Sequence, residues 1–186
     1  MVLYAGTLGL VNGVDYLVRV AADMLMSDPE VRFVIMGHGR EEATLHALSD
    51  LLGVRNRNLF FLPSVPKAEM PAVLSAATLA TSLFTDVPGL QDNSANKFFD
   101  ALAASRPLAI NYGGWQAELL EQEQFGLCLP AKDTAAAAAM LASRIRDSNW
   151  LAQAGERAGR LGRERFSADT AARKLAEVLQ RSVGRA

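Results

Sequence analysis

A single cysteine, Cys128, supplies all the thiol chemistry of this 186-residue chain. That excludes a disulfide framework and any cysteine-based metal cluster. Cys128 sits in an apolar, strand-like stretch and reads as a small buried hydrophobe. There are only two histidines, His38 and His46, eight positions apart. No metal-ligand set can be assembled from them, and no metal or other cofactor is expected. His46 reads as a helix-surface residue. His38 follows an apolar run directly and lies between two glycines, which suits a ligand-facing position as well as a plain turn. Long apolar runs are missing too. The longest uncharged stretch, Met70 to Thr85, is too short for a membrane span and contains Pro71, Ser75 and Thr78. Val2-Leu3-Tyr4 reads as a strand rather than as part of a leader, so a reducing cytoplasmic setting is expected. No G-x-S-x-G elbow occurs. Gly37-His38-Gly39 begins like a dinucleotide-binding fingerprint, but Glu42 stands in place of the third glycine. Ser94-Ala95-Asn96-Lys97 matches S-x-x-K without the companion S-D-N and K-T-G motifs, so the match reads as chance.

The net charge of −1 gives no support to a nucleic-acid partner. The charge is unevenly spread: ten basic and five acidic residues lie from Arg144 to Ala186, against nine and fifteen before them. Solvated helix faces account for such a tail. So does proximity to an anionic membrane or a partner domain.

What is present is a chain that is half apolar, enough for one domain with a sizeable core. Short apolar runs at Val2–Ala5, Val31–Met36, Leu59–Leu62, Thr78–Leu83, Leu108–Ile110 and Gly126–Leu129 read as strands. Helical patterns fall between them, at Gly13–Met26, up to Leu52, from Pro66 to Ala76, at Ser94–Ala104 and at Gln116–Glu121. Gly53 is placed to end the second of these helices. Three more helices follow, near Thr134–Ile145, Ser148–Arg163 and Ala168–Val183. This alternation predicts an α/β fold with a doubly wound, parallel, six-stranded sheet and extra C-terminal helices. Ligands of such sheets bind beyond the carboxyl ends of the strands. Four glycine or polar loops lie there: Gly6–Gly9, Gly37–Gly39, Phe84–Asn93 and Tyr112–Gly114.

The stretch from Asp92 to Gly114 carries most of the chemistry. Asn93 and Ser94 offer N-cap oxygens to a helix that runs to Arg106-Pro107. Asp92, Asn93, Ser94, Asn96 and Lys97 cluster at that helix start, a natural anion site. Lys97 opposes the helix dipole there, a penalty that a bound phosphate reverses. Asp100, one turn on, either pairs with a nearby base or accepts hydrogen bonds from sugar hydroxyls.

These segments together resemble the C-terminal half of a retaining, GT-B-fold glycosyltransferase of family 4 (glycosyl transferases group 1), from Val2 to about Leu179. The resemblance rests on Tyr4-Ala5-Gly6-Thr7-Leu8-Gly9 with Asn12-Gly13-Val14-Asp15, and on Val34-Ile35-Met36-Gly37-His38-Gly39. It also rests on Leu59 to Pro66, Asn96 to Ala104 with Arg106-Pro107, Gly126 to Pro130, and Arg165-Phe166-Ser167. The family's paired glutamates are occupied by Asp92 and Asp100. Its usual arginine and lysine in the first loop are replaced by Thr7 and Asn12. These departures resemble an O-antigen and capsule branch, in which N-K-x-F-D is typical. The resemblance implies a nucleotide-diphosphate sugar as donor, a UDP-sugar for preference. Lys97 and Asp92 would serve catalysis. Gly6, Thr7, Gly9, Gly37, His38, Gly39, Ser64, Val65, Asn93, Ser94, Asn96 and Asp100 would bind substrate. The absence of D-x-D is consistent with a metal-free diphosphate site. On this reading residues 1–186 form one Rossmann-like donor domain, with 168–186 a terminal helix. A lipid-linked or saccharide acceptor would bind through an N-terminal domain outside this chain, and the isolated chain would be inactive. Peripheral contact with the inner membrane face is a further expectation. A nucleotide-sugar 2-epimerase and a non-catalytic nucleotide-binding module remain open alternatives.

Overall fold

The computed structural model describes residues 1–183. Six strands form one sheet: β1 (Val2–Ala5), β2 (Phe33–Met36), β3 (Leu59–Leu62), β4 (Leu79–Ser82), β5 (Leu108–Ile110) and β6 (Gly126–Cys128). Every pairing is parallel and the order is β3-β2-β1-β4-β5-β6. The order reverses between β1 and β4. At such a switch point the loops leave to opposite faces and open a crevice between them.

Alternating side chains along each strand feed two cores. Val2, Tyr4, Phe33, Ile35 and Ala109 face one core, under helices α1 (Asp15–Ser27), α2 (Glu42–Leu51) and α6 (Thr134–Ile145). Leu3, Val34, Met36, Leu108 and Ile110 face the other, under α3 (Met70–Ala76), α4 (Asn96–Ala103), α5 (Trp115–Glu123) and α7 (Ser148–Arg165). β1, β2 and β5, buried on both sides, are apolar throughout, which is why they read as continuous runs. α7 approaches α4 and the turn between α4 and β5 closely along Gly155, Gly159 and Gly162; a Cβ on Gly155 would lie 2.8 Å from the Ser105 carbonyl oxygen. Across the other core, Arg146 after α6 makes two hydrogen bonds, of 2.8 and 2.7 Å, to Asp28 after α1. Together with burial of the flanking apolar faces, this fixes α6 on α1.

Several boundaries differ from expectation. The helix predicted from Ser94 begins at Asn96, with Ala95 at its cap and no side-chain cap bond. Asn93 and Ser94 therefore do not cap it. The Phe98 N–H bonds the Ala95 carbonyl instead, 3.1 Å away. The helix expected from Pro66 is divided into a 3-10 turn at Lys67–Glu69 and α3. Gly53 (φ 66°) does stand just past α2, in the left-handed conformation. His46 is not a solvated surface group: it stacks edge-on against Phe61, ring centroids 4.3 Å apart, with Nε2 buried. The terminal helix α8 spans Ala168–Val183, and residues 184–186 of the predicted segment lie outside the described residues. Leu175, Val178 and Leu179 on α8 are 60, 58 and 57% exposed, an apolar stripe with no cover in the described chain. Among the described residues no helix is long and apolar enough to cross a membrane.

Candidate functional site

The loops after β1 and β2 are locked together at the switch point. Gly6 N–H donates to the Met36 carbonyl at 2.9 Å, and Leu8 N–H to that of His38 at 3.0 Å. The approach is too close for a side chain: a Cβ on Gly37 (φ 142°) would overlap the Gly6 carbonyl oxygen. Below them Tyr4 is fully buried, and its hydroxyl donates to the Thr7 carbonyl at 2.7 Å. The result is a rigid floor made mainly of backbone. Gly9 lies on it without crowding, and Thr7 projects to solvent. Beside it, exposed His38 and Ser64 are joined through Nδ1 and Oγ at 3.1 Å, with Val65 half-buried next in the chain.

Lys97 reaches onto this floor from the first turn of α4. Its side chain lies flat over Gly6, so that a Cβ there would fall 2.9 Å from Nζ. The ammonium is 5.2 Å from the Tyr4 ring centroid and donates to Asn12 Oδ1 at 3.3 Å. It makes no ion pair among the described residues. Burial lowers its pKa, and the carboxylate of Asp100 offsets this only in part. A half-buried cation that has only an amide oxygen and an aromatic face is under-compensated. The backbone N–H groups of Asn96 and Lys97 beside it also have no partner among the described residues. Charge, helix dipole and free N–H donors all favour an anion at this place.

Asp100 lies one turn along α4. Burial raises its pKa, while Lys67 and Lys97, in that order, pull it down. Lys67 lies near enough to act on the Asp100 carboxylate, and the sequence gives no signal for it. It follows β3 at the far edge of the sheet and comes near Asp100 only because α3 and α4 cover the same face. Asp92, Asn93, Ser94 and Asn96 are exposed around the start of α4, and the Asp92 carboxylate makes no hydrogen bond or ion pair among the described residues. The structure thus brings Gly6, Lys97 and Asp100 together and pairs His38 with Ser64. The polar residues from Asp92 to Ser94 stay on an open rim.

A buried polar cluster holds the other side of the crevice. Asn111 uses both ends of its amide on Phe84, accepting from its N–H and donating to its carbonyl at 2.9 Å each. The Tyr112 hydroxyl lies 2.9 Å from Ser82 Oγ and 2.8 Å from Gln116 Oε1. A hollow of about 300 Å3 opens beside it, lined by Thr85, Gln91, Tyr112, Gly113, Glu121 and Cys128 among others. Cys128 is half-buried rather than fully buried, and burial pushes its thiol up to about 11. The more voluminous hollow, about 530 Å3 around Ser105 and Arg106, lies at the amino ends of the strands, away from this chemistry.

Comparison with known proteins gives a consistent set of matches. The model of the family described as glycosyl transferases group 1 matches residues 1–147. The alpha-D-kanosaminyltransferase of Streptomyces kanamyceticus is 23% identical over 178 residues, 96% of this chain and 45% of that protein. The chain therefore spans less than half the length of that curated relative. Among solved structures, HepE from Anabaena in complex with UDP-glucose superposes with a TM-score of 0.82 and 21% identity, covering 96% of this chain and 48% of HepE. Sucrose-phosphate synthase from Thermosynechococcus elongatus gives a TM-score of 0.84 at 17% identity, over 100% of this chain and 46% of that one.

Proposed function

Since the chain belongs to the group 1 glycosyl transferases, we propose that it binds the donor, a nucleotide-diphosphate sugar, with the diphosphate against Lys97. The observation that carries this reading is the Lys97 ammonium itself. It is half-buried, without an ion pair among the described residues and held over a backbone floor at the switch point of the sheet. Uridine is the favoured nucleoside, because the Anabaena HepE structures hold UDP or UDP-glucose and a TarM structure from S. aureus holds UDP.

In the proposed reaction the bond from the anomeric carbon to the diphosphate oxygen breaks and a bond to an acceptor hydroxyl forms. The acceptor's proton passes to the departing diphosphate oxygen in that step, and configuration is retained. Negative charge grows on the departing UDP, and Lys97 with the N–H groups at the start of α4 meets it in a water-poor crevice. Asp100 accepts hydrogen bonds from the ribose hydroxyls. His38, Ser64 and Val65 flank the base. Gly6, Thr7, Gly9, Gly37 and Gly39 form the floor beneath the donor. Asp92, with Asn93, Ser94 and Asn96, faces the transferred sugar from the rim. The acceptor, lipid-linked or saccharide as in O-antigen and capsule assembly, would enter from a second domain that completes the cleft, and this domain alone would not turn over. The basic segment after Arg144 would bring the complete cytoplasmic enzyme to an anionic membrane face.

Calorimetric titration with UDP, GDP and ADP tests the reading. UDP is expected to bind most tightly, in the micromolar range or not far above it. Tighter binding of ADP, or no binding of any below millimolar, overturns it.

A further inference from the structure

Among the described residues, the contact between Lys97 and Asn12 is the one direct side-chain hydrogen bond that ties α4 to the loop after β1. We infer that Asn12 is the positioning residue of the phosphate-facing cation: its amide oxygen holds the ammonium over Gly6 and keeps it aimed. This inference rests on the donor-site reading above and goes beyond it in naming what sets the strength of the diphosphate contact.

The turn that carries Asn12 is itself fixed. Asn12 N–H donates to the Gly9 carbonyl at 3.0 Å and Gly13 N–H to that of Leu10 at 3.2 Å. Thr85, beyond β4, donates its N–H to the Val11 carbonyl at 3.0 Å and its hydroxyl to that of Leu10. The 3-10 turn Leu10–Asn12 is therefore pinned from both sides of the switch point, and the amide oxygen it presents does not wander. Lys97 has four rotatable carbons in its stem and reaches this oxygen from another element. Without the tether, a ligand would have to freeze the side chain as it bound.

The neutrality of Asn12 matters as much as its position. An amide oxygen accepts one of the three ammonium N–H groups and leaves the positive charge and two donors for a ligand. A carboxylate at the same place would form an ion pair with Lys97 and repel a diphosphate. The groups around the ammonium are Asn12, the Tyr4 ring, the Gly6 backbone and, on its own helix, Asp100; Lys67 faces Asp100 from the side of α3. None of these already neutralises it at contact distance.

The test is calorimetric titration of UDP and uridine against the unaltered chain, Asn12→Ala and Asn12→Asp, with folding checked by circular dichroism. Asn12→Ala should weaken UDP by about tenfold and uridine by less than about twofold. Asn12→Asp should weaken UDP by about thirtyfold or more, again sparing uridine. It should also move the alkaline limit of UDP binding to higher pH, because the new carboxylate raises the Lys97 pKa. A merely structural role would lower UDP and uridine affinities together and leave the pH profile in place; that result overturns the inference. So does UDP affinity unchanged in both variants while the unaltered chain binds UDP. Failure of the unaltered chain to bind UDP overturns the donor-site reading, and this inference with it.

Discussion

Two loops at the carboxyl end of the sheet are built in opposite ways. The loop after β1 is locked: its backbone bonds to the loop after β2, glycines face each other without room for a Cβ, and Tyr4 fills the space beneath. The stretch after β4, from Val87 to Ser94, is mostly exposed, and its polar side chains do not cap α4. The difference teaches a division of labour. On the proposed reading, the first loop would supply a preorganised floor that costs no ordering when a diphosphate arrives. The second leaves Gln91, Asp92, Asn93 and Ser94 exposed, and would offer them to the transferred sugar.

The largest effect should come from breaking the locked side. Gly37→Ala forces a Cβ into the Gly6 carbonyl at a positive φ and should destabilise the chain by about 3 kcal/mol or more. Gly89→Ala, on the open side, meets nothing within 4 Å and should change stability by no more than about 0.5 kcal/mol. Thermal or denaturant unfolding measures both. Similar losses at the two positions would erase the contrast.

Next in size is Asp100→Asn. The carboxylate lies one turn from Lys97 and is assigned to the ribose, so UDP and uridine should weaken together, by about 1.5–3 kcal/mol each. If uridine binding is indifferent to the change, Asp100 does not touch the ribose.

A smaller effect is expected from pH. Burial lowers the Lys97 pKa below its ordinary value of 10.5. A bound diphosphate favours the ammonium, so the complex holds that proton more tightly than the free site does. The ratio of UDP to uridine affinity should therefore fall as pH rises through the lowered value, before 10.5 is reached. Titrations at stepped alkaline pH check this; parallel curves for the two ligands would contradict it.

How legible all this was in the sequence varies by element. β1, β2 and β5 were readable because burial on both faces leaves unbroken apolar runs. Lys97 and Asp100 were readable because one helix start carries them at helical spacing. The start of α4 was misread: Asn93 and Ser94 have good capping chemistry, but Ala95 takes the cap and Phe98 bonds its carbonyl. Lys67 beside Asp100 and His46 on Phe61 were invisible, since only the packing of crossover helices on the sheet brings such distant segments together. The smallest effect tests the misreading itself. Ser94→Ala should leave stability within about 0.5 kcal/mol. Asp133→Ala, which removes a true cap bond of 2.9 Å to the Ala136 N–H, should cost about 1 kcal/mol. A cost at Ser94 equal to that at Asp133 would restore the capping role.

The central claim is that the locked floor and Lys97 together hold a diphosphate. Titration of UDP and uridine against the unaltered chain and Lys97→Ala tests it most directly. The account predicts that Lys97→Ala weakens UDP by about 1.5–3 kcal/mol and leaves uridine almost unchanged, because the lost contact is to phosphate. Equal losses for UDP and uridine, or none for UDP, would contradict it.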